Sequence, residues 1–120
     1  MLAGKFYTIV TQQQPDAQSV NTTIALNAAH PIFEGHFPDQ PVVPGVCMMQ
    51  IIQELVSGVV GRKLLIQKAA NMKFLNMIDP QQQPQVNVDI TYSTVEEGVK
   101  ATAIIKHEAM VFLKFQGLFK

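Results

Sequence analysis

Between Val46 and about Val60 the sequence runs VCMMQIIQELVSGVV, a stretch with no proline whose apolar residues fall on most faces of a helix. Its polar positions, Gln50, Gln53, Glu54 and Ser57, lie three and four apart and form one narrow stripe. A helix this apolar has to be buried, so the rest of the chain must be arranged to cover it. Pro44-Gly45 precedes it. Gly58 and Gly61 mark its decay into a turn, with Arg62 and Lys63 suited to the negative end of the helix dipole.

The cover has the pattern of strands. Val20, Thr22, Ile24 and Leu26 alternate with Asn21, Thr23 and Ala25, the period of a half-buried strand. Further strands are expected over about Gln67–Met77, Gln85–Thr94, Val99–Lys106 and Ala109–Leu118, with DPQQQP and EEG as punctuation. KHEA is either a turn or a bulge in one long strand. One helix followed by a run of strands predicts an α+β fold, an antiparallel sheet packed on a single helix. A chain of 120 residues suits one domain spanning 1–120.

With 48% hydrophobic and 15% charged residues, the chain has more apolar surface than a soluble monomer needs, which favours a homo-oligomer or a long apolar pocket. Nine basic residues balance nine acidic ones without a basic cluster beyond Arg62-Lys63, which argues against a nucleic-acid partner. The N-terminal MLAGKFYTIV is too short an apolar run for a signal peptide, and no segment approaches the roughly 20 apolar residues of a membrane span. A cytoplasmic protein is expected, and the single cysteine, Cys47, agrees with a reducing compartment.

Ahead of the helix, HPIFEGHFPDQPVVPG carries Pro31, Pro38, Pro41 and Pro44, which exclude regular structure there. His30, Glu34, His36 and Asp39 are ligand-type side chains, but their spacing fits no metal signature, and neither metal nor cofactor is expected. The runs Phe33-Glu34-Gly35-His36-Phe37-Pro38 and Pro41-Val42-Val43-Pro44-Gly45-Val46 resemble the signature F-x-G-H-F-P…P-x-x-P-G of the 3-hydroxyacyl-acyl-carrier-protein dehydratases of the FabZ and FabA type. The resemblance extends from about Val20 to the C-terminus, with FLNMIDP at the family's strand-to-turn segment; the first twenty residues lack a clear counterpart.

That resemblance implies the hotdog fold, an antiparallel sheet wrapped around one long central helix, in a homodimer or higher homo-oligomer. Each acyl pocket would form between protomers. It implies a cytoplasmic (3R)-hydroxyacyl-thioester dehydratase of fatty-acid or related acyl-chain synthesis, taking acyl chains from acyl carrier protein or coenzyme A. His36 matches the family's base, and apolar Phe37 beside it favours the neutral imidazole. Gly45 matches the residue whose backbone amide polarises the thioester carbonyl, with Phe33, Phe37 and Val46 as further substrate-binding positions.

The family's acid lies five residues beyond that glycine, where this chain has Gln50, an amide that cannot deliver a proton. One turn on, where the FabZ type has glutamine, stands Glu54. Either Glu54 or a water held by Gln50 handles the departing hydroxyl, or Glu54 belongs to a structural polar stripe. In the latter case the chain is a non-catalytic acyl-thioester binder; a thioesterase is the third reading. His30 is expected to order the loop, His107 to lie on the surface, and Cys47 to be a small buried hydrophobe.

Overall fold

The computed structural model describes residues 2–35 and 42–120; His36 to Pro41 lie outside the described residues. The elements are β1 (Tyr7–Asp16), β2 (Ser19–Leu26), α1 (Ile32–Gly35), α2 (Gly45–Val60), β3 (Ile66–Phe74), β4 (Gln85–Val95), β5 (Gly98–His107) and β6 (Met110–Phe119). The strands form one antiparallel sheet in the order β1-β2-β4-β5-β6-β3. With the single long helix α2 in the same hydrophobic core, this is the hotdog architecture.

Alternation sets the inner face of the sheet. Val20 pairs with Ile90, Ile90 with Ala103 and Ala103 with Phe115, so one buried row crosses four strands. Small residues at the centre, Ala101 and Ala103, leave room for the helix at the packing density an interior requires. At the start of β6 the register shifts between the Ile105 and Lys106 pairs, and Phe112 is the extra residue, which lets Phe112 and Leu113 both be buried. The helix answers with Cys47, Met48, Ile51, Ile52, Leu55 and Val56 on one broad buried face. Gly61 ends it at φ 87°, its N–H donating to Ser57 O at 2.9 Å.

Three departures from the sequence expectations have physical causes. Strand β1, in the stretch without a family counterpart, pairs with β2 although all its residues after Tyr7 are exposed. An edge strand solvated on both faces has no alternation to write, and its Pro15 falls within a register shift. The short α1 stands where prolines were expected to exclude regular structure; Pro31 directly precedes it, where a missing N–H costs a helix nothing. Strand β3 stops at Phe74 rather than Met77, because the Leu75 and Asn76 amides both turn to Phe112 O, at 2.8 and 3.4 Å. Of the two readings of KHEA, the turn is the one found: Glu108 and Ala109 form a two-residue turn between paired His107 and Met110, with Glu108 at φ 53°.

Candidate active site

The start of α2 is held from two sides. Pro44 takes the N-cap position at φ −62° and ψ 146°, and its carbonyl accepts from the amides of Cys47 at 3.0 Å and Met48 at 3.2 Å. The Val43 N–H donates to Ile78 O at 2.9 Å, which fastens the helix entry to the segment leaving β3. The amides of Gly45 and Val46 precede the first intrahelical bonds and are therefore free to face a ligand, at the end of the helix that favours negative charge. A cavity of about 480 Å³ opens there, walled mainly by Val43, Pro44, Gly45, Met48, Phe74 and Met77. Among the described residues, none of its lining side chains is titratable.

Glycine at position 45 is a matter of space. A β-carbon there would sit 2.9 Å from Phe74 Cζ. The ring of Phe74 thus closes over the helix start and leaves room only for backbone. Val46, beside it, is 72% exposed, whereas Phe33 is buried and stacked on Phe6 with ring centroids 5.4 Å apart. His36 and Phe37 lie outside the described residues. His30 orders its loop: Nδ1 accepts the Ile32 N–H at 3.1 Å, and the ring meets Phe6 edge-on at 5.3 Å.

The polar stripe of α2 is occupied by neighbouring chain. Glu54 Oε2 accepts from Leu2 N–H at 2.8 Å and from Gln50 Nε2 at 2.9 Å; Oε1 accepts from Ala3 N–H at 2.9 Å and from Tyr7 Oη at 3.0 Å. Gln53 Oε1 accepts the Ile66 N–H at 2.8 Å, and Ser57 Oγ accepts the Leu64 N–H at 3.0 Å. Burial works to raise the Glu54 carboxyl, but the donors from Leu2, Gln50, Ala3 and Tyr7 outweigh it and hold the group below the ordinary carboxylate range. Burial, then the Glu54 charge, pushes the Tyr7 phenol well up; burial also raises the Cys47 thiol.

The structure therefore brings Gln50 and Glu54 into contact, and Gly45 against Phe74. Sequence reasoning missed Phe74 and Tyr7 as partners; the apolar residues of FLNM at the end of β3 were the available signal for the first. Among the described residues no helix is long and apolar enough to cross a membrane, and no cluster of metal-ligating side chains occurs.

The family profile described as ApeI-like, ApeI dehydratase, matches residues 12–116. The 3-hydroxyacyl-acyl-carrier-protein dehydratase FabZ of Clostridium acetobutylicum is 27% identical over 88 residues, which are 67% of this chain and 62% of that protein. The chain thus matches less than two thirds of that relative's length. Among solved structures, the dehydratase heterocomplex ApeI:P from Xenorhabdus doucetiae matches with a TM-score of 0.78 at 17% identity, covering 92% of this chain and 95% of that one. An uncharacterized protein from Erwinia carotovora subsp. atroseptica matches at 0.69 and 15% identity, over 94% and 92% of the two chains. At such identities these structures speak for the fold alone.

Proposed function

The chain belongs to the ApeI-like dehydratase family, of the FabZ and FabA type, and from that premise we propose that it dehydrates (3R)-hydroxyacyl thioesters carried by acyl carrier protein or coenzyme A. The observation that carries this reading is the helix start: amides at Gly45 and Val46 that have no partner among the described residues, a Pro44 that fixes their direction, and an apolar cavity beside them. His36 takes the proton next to the thioester carbonyl, and the Gly45 N–H donates to the oxygen as it gains charge. Val46, Phe33 and Phe37 belong to the apolar surroundings of the acyl chain, and Gln50, with Glu54 behind it, faces the hydroxyl end. The test is conversion of a short 3-hydroxyacyl thioester to its enoyl product by wild type and by His36→Ala. Turnover unchanged in the variant removes the proposal; free thiol without enoyl product makes the protein a thioesterase.

A second reading is that the proton for the departing hydroxyl comes from another subunit. It is favoured by Gln50 at the acid's position and by a Glu54 carboxylate already taken by four donors. The ApeI:P relative is itself a heterocomplex. The exposed edge of β3 is the natural seam for a second hotdog chain, identical or related. Wild type that is silent alone but gains turnover as Gln50→Glu supports this reading; full turnover by the lone wild type excludes it.

A further inference from the structure

Lysines that are scattered in the sequence meet on the face of the sheet turned away from the helix. On β5, Lys100 and Thr102 alternate with buried Val99, Ala101 and Ala103, and on β6, Gln116 and Leu118 alternate with buried Phe115 and Phe119. Register sets these outward residues in rows. Ser93 pairs with Lys100, Lys100 with Leu118 and Leu118 with Lys68, so two lysines flank one leucine. Thr91, Thr102 and Gln116 form the row beside it. A cavity of about 640 Å³ lies over the two rows, within the size range of small-molecule sites. It shares no lining residue with the cavity at Gly45.

Elsewhere on this face the polar side chains are paired within the protein, Lys106 with Asp89 at 3.2 Å and Thr23 with Asn87 at 2.9 Å. In the cavity they are not. Among the described residues, Lys68, Lys100, Thr91, Ser93, Thr102 and Gln116 have no side-chain hydrogen bond or ion pair. Lys68 and Lys100 stand two strand spacings apart, about 9.6 Å, and their flexible stems let both ammonium groups lean over the leucine between them. Charges from opposite sides, with hydroxyl and amide donors in the next row, suit a group whose acceptor oxygens point in several directions. Phosphate is such a group; a carboxylate offers two oxygens in one plane and is matched better by arginine, of which the described lining has none. Glu97, the single carboxylate of the described lining, stands in the β4–β5 turn and offers an acceptor to a hydroxyl group on the organic part of the ligand. We propose that this cavity binds the phosphate of a hydroxylated phosphate ester, a second ligand site on the side of the sheet opposite the helix.

The same chemistry is carried by a soluble ester and by the headgroup of an anionic lipid, and two probes separate them. Glycerol 3-phosphate is titrated against the isotope-labelled full chain at constant ionic strength, and the chain is sedimented with phosphatidylcholine vesicles that contain or lack phosphatidylglycerol. Saturable shifts centred on the Thr102, Gln116 and Leu118 amides identify the free ester. Retention by the phosphatidylglycerol vesicles alone, with no response to glycerol 3-phosphate, identifies the headgroup, and a response to both supports a site open to either. In each case Lys68→Gln with Lys100→Gln is expected to weaken binding at least about tenfold, and Thr102→Val, which changes no charge, about threefold. Lys73→Gln with Lys114→Gln removes the same charge from the same face, outside the cavity and more than a Debye length along the strands, and is expected to leave binding within about twofold of wild type. Equal weakening by the two double variants overturns the proposal, because binding would then be a diffuse attraction to a basic face. Displacement of the probe by acetate as readily as by glycerol 3-phosphate means an adventitious ion only and overturns it, as does silence toward both probes.

Discussion

The ring of Phe74 fills the space that a β-carbon on Gly45 would occupy, with Cζ and Cε1 at 2.9 and 3.0 Å from that point. The end of β3 therefore bears on which residue begins α2. Gly45→Ala must push the ring aside. Phe74 is half exposed and can yield, and alanine is favoured over glycine within a helix by about 1 kcal/mol, so stability is expected to stay within about 1 kcal/mol of wild type. Turnover is expected to fall at least about tenfold, since displaced geometry at the carbonyl is costly. Urea melts and an enoyl-product assay on the same preparation check this; a variant both stable and fully active would take the oxyanion role from Gly45.

Glu54 ties residues 2–7 to the central helix. Phe6 and Tyr7 are buried there, and three of the four donors to the carboxylate come from this segment. Glu54→Ala leaves those donors without an acceptor. A loss of about 2–3 kcal/mol is expected, discounted because the Ala3 bond is exposed. Hydrogen exchange should localise it: the Leu2 and Ala3 amides become unprotected while the β4–β5–β6 centre stays slow. A uniform loss of protection across the sheet would mean that Glu54 supports the whole core instead.

The central helix, β2 and the β4–β5–β6 meander were legible in the sequence because each shows one face to the core, at a period of 3.6 or 2. Strand β1 was not, because only Tyr7 of its residues is buried and the rest carries no alternation. At the site, Gly45 was legible from its motif, but its reason, the Phe74 ring, depends on a chain crossing 29 residues away that spacing cannot encode. Glu54 was singled out from its place on the polar stripe. Its partners Leu2, Ala3 and Tyr7 were hidden for the same cause: local sequence does not tell which distant amides meet a carboxylate.

Glu54, held by the Leu2, Gln50, Ala3 and Tyr7 donors, and Tyr7, shifted first by burial and then by the Glu54 charge, make stability depend on pH at both ends. For Glu54 the folded value is lowered, so its contribution is present above the unfolded value of about 4.3 and is lost as pH falls through the folded one. For Tyr7 the folded value is raised, so its contribution is complete below the unfolded value of about 10 and is lost as pH climbs from there toward the folded one. Melting midpoints across pH should show a shallower acid limb in Glu54→Gln and a shallower alkaline limb in Tyr7→Phe. Acid and alkaline limbs that match wild type in both variants would show that neither group keeps this buried, hydrogen-bonded environment in solution.

Strand β3 lies at the end of the sheet order, and every residue from Gln67 to Phe74 is exposed. Exposed Leu65 and Leu75 flank it, and Met77 beyond is 71% exposed. A strand edge of this length with open backbone donors and acceptors, set among apolar side chains, invites pairing with another chain, and the lysines at 68 and 73 shield only part of it. If identical chains pair there, wild type sediments as a dimer. Met72→Asp, on the strand but outside the cavity lining, places a charge and a poor strand former in the seam and is expected to weaken association at least about tenfold. Sedimentation over a concentration series distinguishes the outcomes. Wild type that stays monomeric into the high micromolar range would mean that β3 does not pair with itself, and would direct the search to a related but different hotdog subunit.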